Sequence, residues 1–355
     1  MGLVASISKH VLKFKQPATT SRGNYTDRQI LLLSIHNSAV PNIVGVGECA
    51  PLAGLSIDDV PDYEKQLLKL VKQINRNKAE DFPFDAFPSI KFGLETALLD
   101  LRNGGKKIIF QNFYAIGRQG IPINGLVWMD NIDAMKESAA TKIAKGYQCI
   151  KIKIGAHDFE KELELLAYIR SLKGGEELIL RVDANGAFNS EDVMDKLNAL
   201  KKFNLHSIEQ PITAGQFDEM SDICAKSPVP IALDEELIGV HNEKDIQSLL
   251  KTIKPQFIVI KPNLIGGFIQ SDLWIKHAKK NNIGWWITSA LESNIGLNAI
   301  AQYAAGFQTP LHSGLGTGKL YQTNFTPYTR IEHGYLWRDM GHEATDTVGA
   351  PNPMM

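Results

Sequence analysis

The chain has 355 residues, 44% hydrophobic and 22% charged, enough apolar material for a sizeable core without disulfide or metal staples. Its 38 Lys+Arg balance 39 Asp+Glu to a formal net charge of -1, which argues against a general nucleic-acid or anionic-membrane surface. Cys49, Cys149 and Cys224 form no C-x-x-C pair, and no apolar run approaches the ~18–20 residues of a membrane span, so a soluble cytoplasmic protein is expected.

Alternation around Val11-Leu12-Lys13-Phe14-Lys15 predicts a strand within residues 4–15, then a loop holding Pro17, Thr19, Thr20, Ser21, Gly23 and Asn24. An apolar strand at 30–35, a turn at Asn37-Ser38 and a strand at 43–46 complete an antiparallel meander. A helix over 63–74 sets Leu67, Leu70, Val71 and Ile74 on one face. A second, capped by Ser89, carries Ile90, Leu94, Ala97, Leu98 and Leu101 and stops at Asn103-Gly104-Gly105. Strands followed by helices make residues 1–115 an α+β unit.

Residues 116–319 read differently. Strand candidates at 121–129, 149–155, 178–185, 207–212, 231–237, 257–264, 285–289 and 311–314 alternate with helical stretches. Lys153 to Asp183 is 30 residues, Asp183 to Glu209 is 26, Glu209 to Asp234 is 25, Asp234 to Lys261 is 27 and Lys261 to Ser289 is 28. A strand-plus-helix repeat at that pitch predicts a (β/α) barrel; an open doubly wound sheet would want a glycine-rich phosphate turn, which is missing. Arg330 to Trp337 reads as a short strand folding back on the first domain, joining segment 320–355 to it, and 349–353 as a mobile tail.

Functional side chains of a barrel sit at the C-terminal ends of its strands. Here three successive ends carry carboxylates: Asp183 in Val-Asp-Ala-Asn-Gly, Glu209 in Ile-Glu-Gln-Pro and Asp234 in Leu-Asp-Glu-Glu. Three grouped carboxylates repel one another and want a shared cation. An oxygen-only set without His or Cys favours Mg²⁺, with Mn²⁺ as the alternative. Lys151 and Lys153, two apart on one strand, share a face, and Lys261 ends a strand on the far side of the trio. Neighbouring cations lower the pKa of Lys153, which suits a lysine general base. A divalent ion on the trio binds a substrate carboxylate and stabilises the enediolate formed when a lysine removes the α-proton. A second lysine on the other face either returns a proton or stands as a cation near the developing charge.

At these residues the sequence resembles the enolase superfamily, in its muconate-lactonising subgroup. The resemblance spans the chain and implies a modified (β/α)7β TIM-type barrel with an α+β capping domain. It assigns Lys153 and Lys261 to catalysis, Lys151, Asn185 and Glu235 to their support, and Asp183, Glu209 and Asp234 to the metal. Ser21-Arg22-Gly23, the run from Gly47 to Gly54, the run from Pro122 to Met129, the run from Leu291 to Leu297 and Gly314-Leu315-Gly316-Thr317-Gly318 narrow the resemblance to a dehydratase branch of that subgroup. The activity so implied is syn elimination of water from 2-succinyl-6-hydroxy-2,4-cyclohexadiene-1-carboxylate to 2-succinylbenzoate, a menaquinone-pathway step. In it Lys153 abstracts the proton and Lys261 faces the ring as a cation. The cap loops offer Arg22, Leu52 and Leu55 as specificity residues; on the barrel, Ser289 at the end of the seventh strand and Gly314 near the eighth are expected anion contacts.

The nearest rival is an N-acylamino-acid racemase or dipeptide epimerase with the same five residues. Dipeptide epimerases carry an Asp-x-Asp on the eighth strand, where this chain reads Leu311-His312-Ser313-Gly314-Leu315-Gly316. A non-catalytic binding barrel has no reason to keep such grouped charges. The substrate is expected to be a small carboxylate, with no nucleic-acid or membrane partner. Oligomer formation is compatible with the sequence.

Overall fold

The run Ile30-Leu31-Leu32-Leu33 does not alternate with polar residues because its strand is covered on both faces. The computed structural model describes residues 2–20, 23–175, 177–309 and 311–341. In it β1 (Leu3–Thr20), β2 (Gly23–Asn37) and β3 (Val40–Cys49) form an antiparallel sheet in that order. Leu31, Leu33 and Ile35 pack with Leu67 and Leu70 of α1 (Tyr63–Ile74) and with Ile90 and Ala97 of α2 (Pro88–Arg102). Ile30 and Leu32 belong to the core that continues into the second half of the chain. Helix α2 lies so close to β3 that a Cβ on Gly47 would stand 1.8 Å from the Gly93 carbonyl oxygen.

Two local expectations change. The loop expected after residue 15 is mostly ladder: pairing shifts register between Lys13 and Ala18 and resumes to Thr20↔Gly23. Such a bulge tolerates Pro17, which has no ladder N–H to give. Ser89 is not the cap of α2, because Phe87 takes that position. The Ser89 amide and hydroxyl both donate to Asp58, at 2.9 and 2.6 Å, so a loop carboxylate serves the helix start.

The barrel follows in chain order: β4 (Ile121–Pro122), β5 (Gly125–Val127), α3 (Ile132–Ala144), β6 (Cys149–Lys153), α4 (Phe159–Leu172), β7 (Ile179–Asp183), α5 (Val193–Leu200), β8 (Ser207–Glu209), α6 (Phe217–Lys226), β9 (Ile231–Leu233), α7 (Glu243–Ile253), β10 (Phe257–Ile260), α8 (Pro262–Ile265), α9 (Gly267–Lys280), β11 (Gly284–Ile287) and α10 (Asn294–Ala304). Strands β5 to β11 form one parallel sheet in sequential order. Residues 313–314 close it: Ser313 bridges Ile123, and Gly314 bridges Thr288 and donates its amide to the Ile287 carbonyl at 2.9 Å. The expected eighth strand is thus reduced to two bridging residues, and the fold is the modified TIM barrel with a mixed α+β cap.

The strand expected over 121–129 is split, and its first part belongs elsewhere. The hairpin β12 (Thr329–Glu332) and β13 (Tyr335–Arg338) pairs with β4, through Leu336↔Ile121, and not with the cap sheet. The return to the cap comes earlier, where Lys15 donates to the Leu320 carbonyl and Gln322 to that of Lys13, each at 2.8 Å. The expected tail at 349–353 lies outside the described residues. Trp285 and Trp286 are both buried on opposite sides of β11. Trp286 stacks beneath the Arg181 guanidinium at 3.9 Å, and Trp285 meets Phe307 edge-on at 5.0 Å. Among the described residues no helix is long and apolar enough to cross a membrane.

Candidate active site

Parallel pairing sets the charged residues side by side. Lys153 is in register with Asp183, and Asp183 with Glu209; Asp234 and Lys261 each follow directly on the ends of β9 and β10. Each of the five is at most 8% exposed. Buried charges at this density must be paired, and they are. The Lys151 ammonium donates to both Glu209 oxygens at 2.7 Å and lies 2.8 Å from Asp183 Oδ2. Lys153 Nζ lies 2.6 Å from Asp183 Oδ2 and 2.7 Å from Asn185 Oδ1. Lys261 donates to Asp234 Oδ2. Asn185 in turn donates Nδ2 to Glu235 Oε1 at 3.1 Å, which orients its oxygen toward Lys153.

The electrostatics set the three lysines apart. Burial lowers the pKa of Lys153, and the Lys151 and Lys261 cations reinforce it, against opposition from Asp183 and Glu209. Burial also works to lower Lys151 and Lys261, but their carboxylate partners outweigh it and both are raised. Lys153 is therefore the ammonium that most readily gives up its proton, and the other two stay charged. Asp183 is held well below the usual carboxylate range by Lys151 and Lys153, even though burial pushes the other way. Glu209 is pushed up to about 8 by burial and by the Asp183 carboxylate beside it.

Asp183, Glu209 and Asp234 stand together as a cluster of acidic side chains at adjacent strand ends. Its donors are oxygen only, the preference of a hard divalent cation. Among the described residues no three His, Cys, Asp or Glu side chains close on one point, because the lysines hold these oxygens. The donor set fits such an ion.

A cleft of about 690 Å³ opens above this layer. Lys151, Lys153, Lys261 and Asn185 form its floor; Leu52, Leu55 and Tyr25 reach over it from the cap. Ser289 and Gly314 line it as well, but neither is a free anion contact. The Ser289 hydroxyl donates to Glu292 at 2.7 Å and accepts from Thr317 at 2.8 Å, while the Gly314 amide is committed to closing the barrel. Arg22 lies outside the described residues. Sequence reasoning missed Tyr25, Asn124, Leu126, Trp128, Thr288 and Thr317 as lining residues. Asn124, Leu126 and Trp128 had a readable signal: spaced two apart, they share the face that turns into the barrel.

The barrel and cap match known families separately. The Enolase C-terminal domain-like family matches residues 134–342, and the MenC, N-terminal domain family matches residues 5–101. Fold and site together thus define a lyase-bearing class, the enolase superfamily. An o-succinylbenzoate synthase from Desulfotalea psychrophila is 40% identical over 367 residues, covering 94% of this chain and 99% of that protein. The crystal structure of MenC from Desulfotalea psychrophila superposes with a TM-score of 0.84 at 37% identity, over 95% of this chain and all of that one. An N-succinyl-L-Arg/Lys racemase from Bacillus cereus is 26% identical over 81% of this chain and 79% of its own length. This chain belongs to the o-succinylbenzoate synthase family of the enolase superfamily.

Proposed function

We propose that the cleft dehydrates 2-succinyl-6-hydroxy-2,4-cyclohexadiene-1-carboxylate to 2-succinylbenzoate, with Lys153 as the base. The chain is an o-succinylbenzoate synthase homologue and a dehydratase by family. The observation that carries the residue roles is geometric: Lys151 is held between Glu209 and Asp183 and Lys261 on Asp234, while Lys153 lines the cleft beside the neutral Asn185 amide.

Asp183, Glu209 and Asp234 would hold a divalent ion, Mg²⁺ by the hardness of their oxygens, with Mn²⁺ as a substitute. When bound, that ion supplies positive charge next to the substrate carboxylate, where electron density builds as the α-proton leaves. The protein's own groups do the rest. Lys153 Nζ takes the α-proton, and Asn185, fixed by Glu235, holds that nitrogen in place. In a syn elimination the hydroxyl departs from the face that lost the proton, so the newly formed Lys153 ammonium is the acid at hand for the leaving oxygen. Lys261, kept charged by Asp234, faces the ring as a cation while aromaticity develops. Leu52, Leu55 and Tyr25 shield the cleft from water. The three free, buried cysteines suit a reducing cytoplasm.

The test is turnover of the purified chain with Mg²⁺ on the cyclohexadiene and on N-succinylamino acids. Dehydration should dominate, vanish on chelation and return with Mg²⁺. Both lysines line one cleft, the arrangement a racemase also needs. Equal or greater efficiency on the amino acids would therefore move the assignment to racemisation.

A further inference from the structure

A buried guanidinium bridges the cap to the barrel at the cleft. Arg28, on β2 and only 5% exposed, donates Nη2 to the Ala50 carbonyl at 2.6 Å and Nη1 to the Ala290 carbonyl. These two carbonyls belong to different walls of the cleft. Ala50 begins the cap loop that carries Leu52 and Leu55. Ala290 lies between Ser289 and Leu291 on the barrel, and all four of those neighbours line the cleft. The Ala50 carbonyl accepts a second bond, 2.8 Å, from Nδ2 of Asn263, two residues beyond Lys261. One carbonyl of the cap loop is therefore tied to the strand end that bears Lys261 and, through Arg28, to the strand end that bears Ser289.

The charges around Arg28 serve the same joint. Glu48 accepts from the Ser293 and Gly296 amides at the start of α10, and Glu292 from Ser289 and Ala290; against the cost of burial, Tyr321 and both carboxylates favour the charged Arg28. A guanidinium is the side chain suited to this place. Its planar fork spans two carbonyls at fixed separation, whereas an ammonium is a point donor.

We infer that Arg28 is a positioning residue for substrate selection, setting the distance between the Leu52/Leu55 loop and the Ser289–Leu291 wall. This rests on the proposed reading of the cleft as the substrate site. Arg28 touches neither Lys153 nor the carboxylate trio by any hydrogen bond, so its effect falls on substrate fit rather than on proton abstraction.

The experiment compares wild type with Arg28→Lys, which keeps the buried charge, and with Asn263→Ala, which loosens the same carbonyl from the barrel side. KM, kcat and the exchange of the substrate α-proton with solvent are measured on the cyclohexadiene. The expected result is a KM raised roughly tenfold in Arg28→Lys, the scale of one lost charge-assisted bond, with kcat and exchange at saturation within about twofold. Asn263→Ala should shift KM in the same direction by less. An unchanged KM in both variants, or a fall in kcat with KM unchanged, overturns the inference. A wild type that does not dehydrate the cyclohexadiene overturns the proposed function itself, which is a separate result.

Discussion

Replacing Lys153 by Ala tests the proposed proton abstraction directly. Lys153 Nζ is held at 2.6 Å by Asp183 and 2.7 Å by Asn185, so its loss removes two short contacts. Asp183 is not orphaned, because Lys151 remains 2.8 Å from the same oxygen. The side chain also lines an open cleft, so truncation widens that space and leaves no sealed cavity. Lost hydrogen bonds and relief of a desolvated charge oppose each other, leaving a stability change of about 1–2 kcal/mol, a few degrees in Tm. The catalytic loss is far larger, since a positioned general base contributes about 10²–10⁴-fold. The assay follows dehydration by the change in ultraviolet absorption as the ring becomes aromatic, with calorimetric Mg²⁺ titration alongside. The variant should bind Mg²⁺, fold, and turn over at least about a hundredfold more slowly. Turnover within tenfold of wild type would refute Lys153 as the base, and lost Mg²⁺ binding would refute the separation of base from metal ligands.

Burial and two neighbouring cations lower the Lys153 pKa, and the proposed base works deprotonated. The kcat/KM should therefore rise with pH and level off at an inflection below the ordinary lysine value; an inflection at about 10.4 or above contradicts this. Burial pushes Asp58 from 3.8 up to about 6. The folded state holds that proton more tightly than the unfolded chain. Its stabilisation is thus full below about pH 4 and is lost as pH rises through about 6, roughly 3 kcal/mol in all. Asp58→Asn, neutral at every pH and still able to accept from Ser89, should melt above wild type at pH 7.5 by a margin that shrinks toward pH 4. A margin independent of pH would show that Asp58 does not titrate in this window. Gly47→Ala would drive a methyl against the Gly93 carbonyl, a backbone atom no rotamer moves aside, at a cost of about 3 kcal/mol or more. Thermal melting and limited proteolysis should show a loosened cap, and an unchanged Tm contradicts the close approach of α2 to β3.

Much of the site was legible because it depends on local spacing. A strand-plus-helix repeat places Asp183, Glu209, Asp234 and Lys261 at successive strand ends whatever the details between them, and Lys151 and Lys153 must share a face because strand side chains alternate. The 27-residue step from Asp234 to Lys261, long enough to raise the question of register, leaves Lys261 bonded to Asp234. Chemistry at the strand ends was therefore written in the sequence, as was the cap's α+β character.

What the sequence did not determine is who pairs with whom. The lowering of Lys153 was expected from its neighbours, but that Lys151 is raised by holding Asp183 and Glu209 together depends on distances across three strands that only packing sets. The Gly314 amide was expected to be free and is consumed in closing the barrel. The strand expected from Arg330 to Trp337 on the cap is instead a hairpin that pairs with β4, because edge strands are satisfied by whichever partner the tertiary fold brings near. Arg28 carried no signal at all: a lone arginine on a polar stretch becomes a joint only when the barrel brings Ala290 against it, 262 residues along the chain. Periodicity is a property of neighbours in sequence, and it fixed the fold class and which charged residues share the strand ends. Desolvation and long-range hydrogen bonding are properties of the folded interior, and they decided how those charged groups pair and what ties the cap loop to the barrel.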